Sequence, residues 1–209
     1  VIDSAHARGM EVHAWLNPYR YASSDATFGK NHPKDYYNTH PEWLVKCGDI
    51  TILNPSLPEV REQICKVVVD IVKNYDVDGI IFDDYFYQSG YQNSYDDAQY
   101  NAYCDTATTI MTRADWRRAQ NNLMVRMVND AIKATKPWVK FGIGPAGVAG
   151  KANTSAPVYG VEPCPTPSSD WQYNQIYADP LAWYNEHTID YMAPQIYWTI
   201  SSWANYDVI

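Results

Sequence analysis

Asp78-Gly79-Ile80-Ile81-Phe82-Asp83-Asp84-Tyr85-Phe86-Tyr87 runs from a short apolar segment into two adjacent carboxylates and then a cluster of aromatic rings. An apolar run this short, rich in Ile and Phe and led in by Val77, suits a strand of a parallel sheet buried on both faces. Its polar residues then fall at the carboxyl end, where open and barrel-shaped α/β folds place their ligand sites. The stretch therefore predicts a strand with chemistry at its tip.

Three further segments follow the same grammar, each led in by a helical pattern and closed by polar or aromatic residues and a Pro or Gly turn: Val12 to Asn17, Val139 to Gly144 and Ile189 to Gln195. Repeated αβ units of this kind predict a parallel sheet with right-handed crossovers. Ahead of Asp78, Ser56 with Glu59 spells a capping box, and Val60, Ile64, Val67, Val68, Ile71, Val72 and Tyr75 recur at helical spacing, a stripe expected to pack on the sheet. A second helix is predicted from about Trp116 to Thr135, with Leu123, Met127, Val128, Ala131 and Ile132 inward and a stop at Lys136-Pro137. A third starts at Asp179-Pro180, an N-cap followed by proline at the first helical position, and carries Leu181, Trp183 and Tyr184. Long loops from Pro18 to Asn54, Tyr85 to about Asp97 and Pro145 to about Ile176 each follow a strand's carboxyl end, and loops of such length tend to carry function. Within them, Ile50 to Leu53 reads as a hairpin arm and Ala156 to Ser169 as a surface loop.

The 209 residues are 46% hydrophobic, enough to bury a substantial core, and their formal net charge is −8. Without a run of Lys or Arg, that balance offers no field for a phosphate backbone, so no nucleic-acid partner is expected. No apolar stretch approaches the roughly 20 residues that span a bilayer, so no transmembrane segment is predicted. Cys47, Cys65, Cys104 and Cys164 show neither CxxC spacing nor a His partner at finger spacing, which predicts no zinc site and no other metal or cofactor while leaving a disulfide open. The opening Val1 to Gly9 resembles the last turns of a helix closing on a glycine, so a strand is expected to precede it.

Strand alternation sorts the candidate residues by face. Ile80 and Phe82 are expected against helices and Asp83 inward, with Asp84 at the rim, so that the two carboxylates point apart. By the same rule Val12, Ala14 and Leu16 face helices while His13, Trp15 and Asn17 face inward. Tyr191, Ala193, Gln195 and Tyr197 share a face, and Gly142 and Gly144 leave room there for a ligand. Asp78 and Asp190, at the amino ends of their strands, belong to the stability face. Any single ring among Trp15, Tyr85, Tyr87 and Trp198 also suits ordinary packing, and His13 a hydrogen-bonded core. Glu42 and Asp170 suit loop anchoring or a second carboxylate.

Carboxylates in an aromatic-lined cleft, with no phosphate-binding glycine loop and no GxSxG elbow, point to sugar chemistry. Rings stack on pyranose faces, amides bond hydroxyls, and a carboxyl with a raised pKa protonates the glycosidic oxygen. Asp83 is the leading catalytic candidate, with Asp84 its partner or orienter; His13, Trp15, Asn17, Tyr19, Arg20, Tyr85, Tyr87, Gln195, Tyr197 and Trp198 would line the subsites for an oligo- or polysaccharide. A carbohydrate-binding protein on a degenerate barrel is the rival reading, and a metal-dependent polysaccharide deacetylase using Asp83, Asp84 and His13 a third.

Six ordered motifs sharpen this reading: Ala14-Trp15-Leu16-Asn17-Pro18-Tyr19-Arg20; Asn54-Pro55 with Pro58-Glu59-Val60-Arg61; Asp78-Gly79-Ile80 with Asp83 to Tyr87; Trp116-Arg117-Arg118; Phe141-Gly142-Ile143; and Asp190-Tyr191 with Pro194 to Trp198. Together they resemble the glycosyl hydrolase-like ten (YngK-like) family over nearly the whole chain. That resemblance implies a single (β/α)8 TIM-barrel catalytic domain over 1–209, of which the chain would hold about the third to sixth strands. It also implies an exported bacterial enzyme or lipoprotein acting on peptidoglycan glycan strands. Two positions depart from the family pattern, with Ile81 standing where it often has His and Gln88 where it often has Pro. The first removes an inward polar group below Asp83 and is what makes the binding-protein reading credible. The loop Pro145 to Gly150 also departs from the family's more aromatic form.

Overall fold

The computed structural model describes residues 1–23, 32–147, 154–162 and 170–199. In chain order its elements are α1 (Ile2–His6), β1 (His13–Leu16), β2 (Arg20–Ser23), α2 (Tyr36–Thr39), a 3-10 turn (Pro41–Trp43), β3 (Leu44–Cys47), β4 (Ile50–Leu53) and α3 (Pro58–Asn74). There follow β5 (Gly79–Phe82), a 3-10 turn (Asn93–Tyr95), α4 (Asp97–Thr106), α5 (Arg113–Thr135), β6 (Lys140–Ile143), α6 (Trp171–Asn174), α7 (Pro180–Asn185) and β7 (Tyr191–Met192).

The four expected strands form one parallel sheet in the order β1-β5-β6-β7. Its register sets His13 beside Gly79 and Leu16 beside Phe82, then Ile80 beside Phe141 and Ile143 beside Met192. Order and sequence run together, as successive βα units winding one way around a barrel require, and the sheet is an arc of a (β/α)8 barrel. Ile80, Phe82, Phe141 and Ile143 are fully buried against Val60, Val68 and Val72 of α3 and Met124, Val125, Val128 and Ile132 of α5. Alternation thus sends the apolar side chains outward to the helices.

Asp78 and Asp190 do what their position at the amino ends predicts. The Asp78 carboxylate accepts hydrogen bonds from the Val12 amide (2.7 Å) and pairs with His6 (2.9 Å), while Asp190 accepts the Phe141 amide (2.7 Å) and Lys133 (2.6 Å). Each acid satisfies an amide on the neighbouring strand, which pins the sheet's register at that end.

A second, antiparallel sheet, β2-β4-β3, grows from the loop after β1 and contains the expected arm Ile50–Leu53. Other local expectations are corrected. Ser56 does not cap α3: its hydroxyl donates to Asn54 Oδ1 (2.7 Å), and α3 starts instead with Leu57 at the cap and Pro58 in the first turn. The α5 helix begins at Arg113 on a Thr112 cap, three residues before the predicted start. It buries Met124 and Val125 while Leu123 is 42% exposed. The α3 stripe is narrower than predicted, with Val67 and Tyr75 exposed. The predicted surface loop is buried only at its first residue, Ala156, and turns to solvent from Pro157 on, while Ser155 just before it is buried and bonds the Asp179 carboxylate. The rest of it at 163–169, with Cys164, and the loop residues 148–150 lie outside the described residues. Asp179 caps α7 as predicted, accepting the Ala182 amide, with Trp183 inward and Tyr184 outward.

Candidate active site

The carboxyl ends of the four parallel strands converge on Asp83. Past Phe82 the ladder continues through single backbone bonds, Asp83 N–H to Leu16 O (3.0 Å) and Gly144 N–H to Phe82 O (2.8 Å). Gln195, held parallel to Ala146, completes the row. Its side-chain amide donates both to Asp83 Oδ1 (2.9 Å) and to the Gly144 carbonyl (2.7 Å), which fixes the orientation of the Asp83 carboxylate from the fourth strand. Trp15, Ile81, Phe82, Asp83, Gly144, Ala193, Gln195 and Tyr197 line a cavity of about 190 Å³ on the concave face, and all but Phe82 belong to the inward set that alternation predicts. Trp15 and Tyr197, 69% and 79% exposed, are the aromatic residues of that lining most open to solvent.

Asp83 lines the cavity and Asp84 does not, in keeping with an inward Asp83 and a rim Asp84. Regular strand geometry ends at Phe82 and the chain bends at Asp84, so period-two alternation no longer applies. The Asp84 amide donates to Asp83 Oδ1 (2.9 Å), which sets the two carboxyl groups side by side. Burial chiefly, then the bond to Asp83 and its like charge, push the Asp84 carboxyl up to about 6, against the pull of Arg20. Arg20 lies over the Tyr85 ring, its guanidinium carbon 3.6 Å from the centroid. The bend thus gathers an acid, a second carboxyl, a cation and a ring at one rim.

Other predicted subsite residues are placed elsewhere. His13 does face the concave side, but at the amino end of β1, beside Gly79. Its Nδ1 meets the Tyr191 hydroxyl (2.6 Å) and its Nε2 meets Glu11 (3.2 Å). Four residues of strand, about 13 Å, separate it from the acids, which removes the geometry for an Asp83-Asp84-His13 metal triad. Gly142 leaves no free space either: a Cβ there would lie 2.2 Å from the Tyr191 ring, which fills the gap. Tyr19 and Tyr87 are buried and offer no face to a substrate. The chain turns at Pro18, so Tyr19 leaves the β1 alternation and packs beneath Leu53, where burial pushes its phenol well above the usual range. Tyr87 lies past the Asp84 bend and sits edge-on to Tyr91 and Tyr177. Asn17 borders a separate apolar groove between β1 and α3, with Leu16, Pro18 and Val67. Trp198 is half-buried over Gly147. Glu42 pairs with His40 (3.0 Å) and Asp170 bonds Asn174, so both anchor loops.

A polar hub behind the site went unassigned in the sequence, although Arg117 stands in one of its motifs. Arg117 clamps the fully buried Asp96 through Nε (2.6 Å) and Nη2 (2.8 Å), and also bonds Asn93 and the Tyr177 hydroxyl, both at 2.9 Å. Tyr91, Tyr177 and Tyr87 surround its guanidinium at 4.9, 5.1 and 5.9 Å. Asn54 accepts the Tyr91 hydroxyl (2.7 Å) and donates to Tyr95 O (2.9 Å). These contacts tie together the loops that follow β4, β5 and β6. An arginine spaced to reach a buried aspartate about twenty residues away leaves no periodic signal in sequence.

The profile of the family described as glycosyl hydrolase-like 10 matches residues 1–209. Among curated relatives, glycosyl hydrolase YngK of Bacillus subtilis is 38% identical over all of this chain, which covers 40% of that protein. Glycosyl hydrolase DigH of Escherichia coli K12 is 37% identical, again over all of this chain and 48% of that protein. The chain thus spans less than half the length of these relatives. Among solved structures, α-L-fucosidase isoenzyme 2 from Paenibacillus thiaminolyticus superposes with a TM-score of 0.51 at 18% identity, over 75% of this chain and 24% of that one, a likeness of fold.

Proposed function

The chain belongs to the glycosyl hydrolase-like 10 family, and from that premise we propose that it hydrolyses glycosidic bonds in a bacterial cell-wall polysaccharide at the Asp83-Asp84 pair. The observation that carries the proposal is the Asp83 carboxylate, which lines an aromatic-flanked cavity, accepts from Gln195 and the Asp84 amide, and has at its side a second carboxyl that burial pushes up to about 6. A carboxyl that keeps its proton toward neutral pH is equipped to protonate a leaving oxygen. Asp83 serves as the carboxylate that answers positive charge growing at the anomeric carbon, and Gln195 holds it in place. Trp15 and Tyr197 supply the stacking faces. That reading carries an exported location with it, since such polymers lie outside the cytoplasm.

The test is incubation of the full-length protein with purified peptidoglycan glycan strands freed of stem peptides, followed by mass spectrometry of new reducing ends. Wild-type protein is expected to shorten the strands, and Asp83→Asn, still folded by circular dichroism, to lose all turnover. Full activity in Asp83→Asn overturns the assignment. Binding of strands without cleavage by the wild type would make this a carbohydrate-binding protein instead.

A further inference from the structure

Gln195 reaches Asp83 because of where its backbone lies. Its N–H donates to Pro145 O (2.8 Å), it pairs in parallel with Ala146, and its side-chain amide donates to Gly144 O (2.7 Å) and Asp83 Oδ1 (2.9 Å). The Asp84 amide meets the same oxygen (2.9 Å), so two donors on one atom fix how the carboxylate is turned. The chain just past β6 therefore carries the seat of Gln195. At Gly147 that chain comes closer to the Gln195 backbone than a side chain allows. A Cβ there would stand 2.8 Å from Gln195 O, 3.0 Å from Ile196 Cγ1 and 3.2 Å from Trp198 Cζ3. The two side chains can turn away, but the carbonyl moves only with the main chain. At Gly144 the nearest atom to such a Cβ is Ala193 O at 3.3 Å, a contact that a few tenths of an ångström relieve. The constraint on Gln195 thus sits at Gly147.

We propose that Gly147 is a positioning residue for Asp83 and acts through Gln195. Without a side chain it lets the chain after β6 lie against the Gln195 carbonyl, and that contact sets the reach of the amide. A methyl group at 147 drives the carbonyl back by about 0.6 Å, from 2.8 Å to the 3.4 Å at which ordinary contact begins. A shift of that size stretches a bond of 2.9 Å to the limit of hydrogen bonding. The Asp83 carboxylate then keeps the Asp84 amide but loses the donor that holds it from the fourth strand. Misplacing a reacting group by about 1 Å costs on the order of a hundredfold in rate, so a shift of about half that size is expected to cost about tenfold. Gly147 thus belongs to the site's geometry although it does not line the cavity.

This inference rests on the reading of Asp83 as the reacting carboxylate, and two measurements on the full-length protein keep the two apart. The first needs no turnover. It is the NMR signal of the Gln195 side-chain amide in glutamine-labelled protein, identified by its loss in Gln195→Met. Its carboxylate bond is expected to shift one amide proton downfield in wild type, and the shift to be lost in both Asp83→Ala and Gly147→Ala. The second is kcat and KM for glycan strands in Gly147→Ala, Gln195→Met and the double variant, each checked for folding by circular dichroism. Gly147→Ala is expected to lower kcat about tenfold with KM little changed. In the Gln195→Met background it is expected to cost less than about twofold more, because the amide it seats is already gone. Losses that multiply in the double variant, an unchanged kcat or amide signal in Gly147→Ala, or a Gly147→Ala protein that does not fold overturns the inference and leaves the hydrolase reading standing. An amide signal that Gly147→Ala abolishes, in a protein whose wild type cleaves no glycan, supports the seat of Gln195 and fails the hydrolase reading. An unchanged signal without wild-type turnover overturns both.

Discussion

Replacing Arg117 with Met keeps much of the apolar stem but removes the charge that holds the loops behind the cavity. Asp96 has no exposed side-chain surface, and Arg117 supplies two of its bonds, at 2.6 and 2.8 Å. Breaking a buried pair costs about 3 to 5 kcal/mol, because the partner charge is left in a poor dielectric. Arg113 remains 2.8 Å from Asp96 and offsets part of that cost, which places the expected loss near about 3 kcal/mol. In a chain of this size that lowers Tm by about 6 to 12 °C. Urea unfolding followed by circular dichroism measures it. Adding Asp96→Asn to the Met variant removes the orphaned charge and is expected to recover at least about 1 kcal/mol, a non-additivity that a double-mutant cycle reads directly. A loss under about 0.5 kcal/mol for Arg117→Met, or strict additivity in the cycle, would refute the view that this pair organises the loops.

Gly142→Ala is expected to cost about 1 to 3 kcal/mol by overpacking against the Tyr191 ring, measured by urea unfolding, and to cost less in a Tyr191→Leu background. Asp84→Asn probes linkage. With its folded pKa raised from 3.8 to about 6, the wild-type group binds more protons folded than unfolded in that window, so it loses stability as pH rises through it. The Asn variant lacks this loss and should gain on wild type by about 1 kcal/mol between pH 3.5 and 7.5, allowing for solvent screening of a partly exposed group; a difference that does not change with pH contradicts the shift.

Much of the parallel sheet is legible because its information is local. The runs at Val12, Gly79, Val139 and Ile189 are short, apolar and closed by turn residues, and their alternation correctly separates Ile80 and Phe82 from Asp83. Asp78 and Asp190 are legible as register pins for the same reason. Alternation fails where the backbone stops being a strand. At Asp84 the bend lays the backbone amide on the Asp83 carboxylate, and at Pro18 it sends Tyr19 into the core. Tyr87 and Arg117 are illegible for another reason, since their partners Tyr177 and Asp96 are brought in by other loops. Ser56 shows a local signal outbid: a good capping hydroxyl is drawn instead to Asn54, which organises the hub.

The pH dependence of kcat/KM for glycan cleavage tests the acid pair most directly. Asp84 can donate only while protonated, and its pKa of about 6 sets the fraction that is. The account predicts a rate that falls about tenfold per pH unit above about pH 6, with this limb absent from the residual activity of Asp84→Asn. A rate that stays level from about pH 5 to 8 in the wild type would contradict it.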